Sequence, residues 1–365
     1  MNKTHKILSI LLIILALDVL GILGFEIYKI YQKTENDRSE VYSQILDSKD
    51  QTSHPKIEVL NVPSQTAKIL MVGDMMFDRY VRAKIKKEGL PYLFEHVTSY
   101  FSQYDMVLGN LEGTITSRSS IALDPNATSF TFDPSIAQAL GEFGITHVSL
   151  GNNHSLDFGE SAYTQTLQFL ENNSIEYFGH ALNTQNLSVE TEIKGKKIAY
   201  VAYHQLFRPD RTPIIDEIHR LQNKVDYIVV FAHWGSEYKN IHNIQQENIA
   251  HELIDAGADL IVGAHPHVVQ DVGIYNNVPI IYSLGNFIFD QADPVTHIGL
   301  MLGISYTDDE IILEFFPIKL IRMRPTLLEG EEKEEVFRTL ANTSHLDNDM
   351  KDSIEQGKIQ YSIKE

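Results

Sequence analysis

Cysteine is absent from all 365 residues. That excludes disulfides, zinc sites built on thiolates, Cys nucleophiles and lipid attachment through a cysteine. Positive charge is scarce as well: 30 Lys and Arg stand against 49 Asp and Glu, a formal net charge of -19. Affinity for phosphate backbones comes from clustered Lys and Arg, so no nucleic-acid partner is expected. No internal repeat is visible. Aromatic residues are plentiful, and 17 Tyr and 17 Phe within a 43% hydrophobic composition argue against intrinsic disorder. The length allows one large domain or two ordinary ones.

One long apolar run opens the chain. Ile7 to Phe25 reads ILSILLIILALDVLGILGF, interrupted only by Asp18, and continues through Ile27, Tyr28 and Ile30. About 20 apolar residues cross a bilayer as a helix. Lys3 and Lys6 precede the run and no small-x-small cleavage site follows it. A cytoplasmic N-terminus (1–6) and an uncleaved transmembrane signal anchor (7–30) are therefore expected, with the rest of the chain extracytoplasmic. Residues 31–65 are polar, lack sustained periodicity and read as a linker.

From Ala67 short Val/Ile/Leu-rich runs alternate with amphipathic stretches, the texture of an α/β fold. Strands are predicted at Lys68–Val72, Met106–Leu108, His147–Leu150, Lys197–Ala202, Tyr227–Phe231, Leu260–Val262 and Pro279–Tyr282. Helices are predicted at Tyr80–Glu88, Leu93–Ser102, Ser135–Phe143, Ser161–Asn172, Ile214–Asn223 and Gln245–Ala256. An antiparallel pair, Gly299–Ile304 with Ile311–Ile321, turns at Thr307-Asp308-Asp309. The main domain is placed at 66–325, followed by a charged surface helix and tail at 326–365.

In open α/β sheets ligands sit beyond the carboxyl ends of the strands. Here those ends carry Gly73-Asp74, Asn110-Leu111-Glu112, Asn152-Asn153-His154 with Asp157, His233-Trp234-Gly235, His265-Pro266-His267 and Gly285-Asn286. Each fragment alone is an ordinary turn. The ordered series of carboxylates, amides and imidazoles suits a Mn, Zn or Fe ion.

The motifs MVGDMMFDRYV, LGNLEGTIT, LGNNHSLDFG, FAHWGSEY, GAHPHVVQ and YSLGNFIFDQ, spread from about Ala67 to Asp290, together resemble the CapA/PgsA family of bacterial poly-γ-glutamate capsule synthesis proteins. That family is similar to calcineurin-like metallophosphoesterases. The resemblance implies a four-layer α/β/β/α sandwich with a divalent-metal site at one end. It implies Asp74, Glu112, Asn153, His233, His265 and His267 as ligands, with Asn110 where a bridging Asp stands in the wider superfamily. Met76 replaces the usual partner His, so one ion or two unequal sites are both compatible. His154 matches the proton donor to the leaving group and Asp157 its orienting partner. The implied partners are the polymer, the membrane, a polyglutamate ligase and a small integral membrane subunit.

Arg79, Trp234, Glu237 and Asn286 complete the candidate set, as substrate contacts with Asn110. For Trp234 core packing is an equal reading, and for Glu237 a loop cap. Arg79, Arg82 and Lys86 share a helical face; Arg208 and Arg211 form a second basic pair. A chain this acidic needs such a patch, or bound metal, to hold a polyanion. Metal-dependent hydrolysis, non-catalytic polymer binding and a phosphoesterase unrelated to polyglutamate all remain open.

Overall fold

Alternate residues of each central strand face opposite ways, and both faces are covered. In the first strand Ile69 and Met71 point to one side, Leu70 and Val72 to the other, all fully buried. A strand buried on both faces must lie between two further layers. The computed structural model describes residues 66–117, 128–207, 210–307 and 310–362. The chain divides into two units, Met1–Val62 and Pro63–Glu365. All described residues belong to the second. The predicted anchor and linker, Arg208 and the Asp308-Asp309 turn lie outside the described residues. Among those described, no helix is long and apolar enough to cross a membrane.

One sheet runs in the order Arg324–Leu327, Glu310–Ile321, Ile298–Tyr306, Ala67–Met75, Met106–Leu111, His147–Ser149, Glu176–Phe178. Asn286–Ile288 also pairs with Ala67–Met75, and Lys358–Ser362 with Glu310–Ile321. The second sheet runs Val272–Tyr275, Val278–Ile281, Leu260–Ala264, Tyr227–His233, Lys196–His204, Ser188–Ile193. The central strands of both sheets are parallel.

Three apolar clusters define the layers. Ile69, Met71 and Leu302 of the first sheet meet Tyr200, Val229 and Val262 of the second in an inner core. Leu70 and Val72 pack outward against helical Val81, Ile136, Leu140 and Leu170. Val201, Val230 and Ile261 pack outward against helical Ile214, Ile218, Ile249 and Leu253. The result is the expected helix–sheet–sheet–helix stack. Each fully buried Leu, Ile or Val contributes about 1.5–3 kcal/mol.

Two expectations need revision. The helix placed at Leu93–Ser102 is two short turns, Pro91–Phe94 and Thr98–Phe101, because Val97 between them leaves helical geometry at φ -122°. The segment placed as a surface tail is not peripheral. Phe337 and Leu340 of the helix Gly330–Thr343, Ile354 and Ile359 all enter the inner core. Its charges face solvent, which hid the apolar stripe beneath them.

Candidate metal centre

The carboxyl ends of the parallel strands from both sheets converge on one small volume. Asp74, fully buried, is the last residue but one of the first strand. Gly73 before it is required by contact: a Cβ there would lie 1.9 Å from the carbonyl oxygen of Gly285. That close approach lets Asp74 N–H donate to Gly285 O at 3.1 Å and fixes the carboxylate.

Three donors surround Asp74. Asn110 Nδ2 donates to its Oδ1 at 2.7 Å, and the His265 backbone N–H to its Oδ2 at 3.2 Å. His267 Nδ1 lies 3.2 Å from the same Oδ2. Burial alone would raise the Asp74 pKa, but the hydrogen bond of His267, with Asn110 and His265, holds it below the usual carboxylate value.

Glu112 is also fully buried, with the opposite outcome. Burial first, then the neighbouring Asp74 charge, push its carboxyl well above the ordinary value. Its Oε1 has no hydrogen-bond partner, and lies 3.7 Å from both His154 Nε2 and His267 Nε2.

His265 and His267 flank Pro266 with φ of 97° and 60°. Left-handed backbone at non-glycine residues is costly and clusters at functional sites. His265 Nδ1 is buried without a hydrogen-bond partner, and burial pushes the imidazole pKa down to about 3. His267 Nδ1 faces Asn286 Oδ1 at 3.0 Å as well as Asp74, two acceptors that place the proton on Nδ1. Nε2 is left bare toward Glu112.

Two three-residue groups bring ligand atoms within 4.8 Å of one another: Asp74, Glu112 and His267, and Glu237, His265 and His267. Glu237, read from sequence as a substrate contact, is thus exposed but within ligating reach. His233 lies in neither group of carboxylates and imidazoles, and its neighbour is the amide of Asn153. The two bond each other, His233 Nε2 to Asn153 Oδ1 at 2.7 Å, while Asn110 Nδ2 lies 3.2 Å from His233 Nδ1. Burial pushes His233 well below the ordinary imidazole pKa. The donor set is one that divalent ions take: two buried carboxylates, bare imidazole nitrogens and orphaned atoms at Glu112 and His265. Met76 takes no part, since its sulfur accepts the Asp78 N–H.

His154 stands beside this cluster. Its Nδ1 lies 2.9 Å from Asp157 Oδ2, and Asp157 Oδ2 also accepts the Phe130 N–H at 2.6 Å. Asn152 fixes the turn: its Nδ2 donates to Asn110 Oδ1 and Leu111 O, and its Oδ1 accepts the His154 N–H.

At the rim, Arg79 is ion-paired with Asp290, its guanidinium 4.9 Å from the Phe130 ring and 5.4 Å from Phe289. Those rings lie 4.3 Å from His154 and 4.7 Å from His267. Asn286 Nδ2 donates to Gln291 Oε1, whose Nε2 donates to Tyr238 OH. Asn286 therefore orients His267 from behind.

Other candidates fall elsewhere. Trp234 is fully buried, its indole N–H donating to Tyr282 O at 2.9 Å; it packs the outer core and lines no groove. Arg82 is buried and paired with Asp78, so it shares no open patch with Arg79. Arg211 is paired with Glu252.

Sequence reading missed Phe130, which carries no motif signal of its own, and singled out none of Phe289, Asp290 and Gln291, although all three close the motif YSLGNFIFDQ. It also missed His204, paired in register with His233. The strand there runs two residues past its predicted end, and that longer apolar run was the available signal. His204 is buried, its Nδ1 2.7 Å from Ala181 O, and burial lowers its pKa to about 4.

The sequence profile of the family described as bacterial capsule synthesis protein PGA_cap matches residues 68–291. The capsule biosynthesis protein CapA of Bacillus anthracis is 29% identical over 297 residues, 74% of this chain and 72% of that protein. The PGA biosynthesis protein CapA of Bacillus subtilis (strain 168) is 28% identical over 310 residues, 80% of this chain and 81% of that protein. Among solved structures, a hypothetical protein from Thermus thermophilus aligns with a TM-score of 0.42 at 17% identity, over 71% of this chain and 96% of that one. Vps29 of Chaetomium thermophilum aligns with a TM-score of 0.32 at 7% identity, over 71% and 94%.

Proposed function

Because the chain belongs to the bacterial capsule synthesis protein family PGA_cap, we propose that it is a membrane-anchored, extracytoplasmic component of poly-γ-glutamate production whose divalent-metal site acts on the polymer or on a phosphoester. The observation that carries the site is the pair of orphaned buried donors, Glu112 Oε1 and His265 Nδ1, within two converging ligand groups. The family and its named relatives support the polymer. The apolar run 7–30 supports the anchor.

Asp74, Glu112 and His267 would hold the first ion, with Glu237 and His265 available to a second or to a shared position. A bound Mn, Zn or Fe ion supplies Lewis acidity, lowering the pKa of water and polarising the scissile bond. The protein supplies the rest. Asp157 beside His154 Nδ1 fixes the ring and leaves Nε2 turned toward Glu112, where it can carry the proton needed by a leaving group. Arg79, held by Asp290 and two aromatic rings, offers cationic character at the rim of an acidic molecule. Partnership with a polyglutamate ligase and a small membrane subunit is part of the same proposal.

One observation favours a second, non-cleaving role in binding or exporting polymer. Asn110 places an amide donor against Asp74 and Glu112, where a bridging carboxylate would bind two ions more strongly. Two measurements decide. Full-length protein purified without chelators, then supplied with Mn or Zn, is assayed for bound metal against a His265→Ala/His267→Ala control. Equal metal in both, or none in either, removes the metal site. Polymer output of cells carrying His154→Ala then separates the roles: loss supports cleavage, retention supports binding alone.

A further inference from the structure

Away from the metal centre, a groove of about 540 Å³ lies between the helix Gly330–Thr343 and the segments that follow His267 and Asp290. Val269, Val295, Ile298, Leu328, Val336 and Leu340 are among its lining residues. Val295 is 44% exposed, and Ile241, next to the lining residue Asn240, is 47% exposed. Apolar surface gathered in a groove and left open to water marks an interaction site.

The rim gives the occupant its chemistry. Glu331, Glu332 and Glu335 stand along the helical wall. Lys319 pairs with Glu332, and Arg338 with Glu335 and Glu334. Yet all three charged lining residues are Glu, and residues 329–343 hold five acidic side chains and two basic ones, so even with Lys319 this wall keeps a net charge of -2. Such a rim repels fatty acids and anionic headgroups and attracts cations.

We propose that this groove is a docking site for a partner protein, seating a segment whose apolar side chains are flanked by Lys or Arg. An amphipathic helix laid into a groove uses the same physics: apolar anchors give affinity and rim charges set orientation. Val268 and Val269, in the groove wall, directly follow His267. A seated partner therefore leans on the chain segment that carries two candidate ligands. The proposal stands whether or not the metal centre cleaves polymer.

The test uses full-length protein in detergent and a fluorescein-labelled 18-residue Leu/Lys amphipathic peptide, with a Leu/Glu peptide of the same pattern as control. Fluorescence anisotropy should show saturable binding of the Leu/Lys peptide and none of the Leu/Glu peptide. Val336→Asp should weaken binding at least tenfold, and Glu331→Lys, at an exposed position, several-fold without lowering the thermal midpoint. The His265→Ala/His267→Ala protein should bind the peptide as the unmodified protein does, which separates this site from the metal site. Equal binding by unmodified protein and Val336→Asp, or preference for the Leu/Glu peptide, overturns the proposal. Concentration-dependent dimerisation abolished by Val336→Asp would assign the groove to a second copy of the chain and overturn it equally.

Discussion

His267 and Asn286 meet through a single contact, Nδ1 to Oδ1 at 3.0 Å, and that contact sets which histidine nitrogen is free to ligate. Asn286 is itself held through its Nδ2 by Gln291 Oε1 and Thr296 O, so its amide cannot turn to offer a donor. Asn286→Leu should free the imidazole and lower metal affinity by about 10–100-fold, the usual cost of losing such an orienting partner. Competition against a metal-sensitive dye on the full-length protein measures it; unchanged affinity would show that His267 is oriented by Asp74 alone.

Glu112→Gln should separate stability from metal binding. In metal-free protein the buried carboxyl must take up a proton or face Asp74 as a like charge. Its folded pKa is raised, so its contribution is full below the ordinary value of 4.5 and is lost as pH rises toward the folded value. The amide escapes that loss. Chelator-treated Glu112→Gln should be more stable than unmodified protein by on the order of 1 kcal/mol at pH 7.5, with the gap closing toward pH 4.5. Added metal should raise the thermal midpoint of the unmodified protein only.

His147 lies away from the metal centre and reports acid sensitivity. Burial lowers its pKa from 6.5 to about 4. A depressed histidine contributes stability that is present above pH 6.5 and lost as pH falls to about 4, because the unfolded chain binds the proton first. At 1.36 kcal/mol per unit, the loss across that window is on the order of 2–3 kcal/mol. His147→Gln should flatten the stability–pH curve there, as read by urea denaturation at several pH values. A parallel curve would mean that His147 is solvated in the native state.

Gly73→Ala should cost on the order of 2–4 kcal/mol, the range of severe backbone clashes, because its Cβ would collide with the Gly285 carbonyl. Metal binding should fall with it, since Asp74 hangs on the same contact. A variant with native stability and metal content would show that the two strands can separate locally at no cost.

Much of the fold was legible because its strands are buried on both faces and read as continuous apolar runs ending in Gly, Asp, Asn or His. The edge strands Ser188–Ile193 and Lys358–Ser362 were not, since their exposed faces carry Glu, Lys and Gln and dilute the pattern. The candidate ligands that converge, Asp74, Glu112, His265 and His267, were visible as residue types at strand ends. What sequence could not give was their pairing. His233 and Asn153 stand in separate motifs, and only folding brings His233 Nε2 within 2.7 Å of Asn153 Oδ1. Trp234 beside His233 alternates to the opposite face of the sheet, where it packs the outer core, one of the two readings its motif left open. The rim residue Phe130 belongs to an ordinary apolar stretch and Phe289 to a motif read for its Asn286, and only folding brings the two rings beside Arg79.

The two sheets meet at Asp74 from one layer and His265 and His267 from the other. A chain without cysteine has no covalent staple between its halves, and this polar knot occupies the place where one would act. An ion seated there would lock the layers together reversibly. Resistance to proteases would then rise and fall with the supply of metal in the surroundings, so that durability becomes a condition the environment sets rather than a fixed property of the polypeptide.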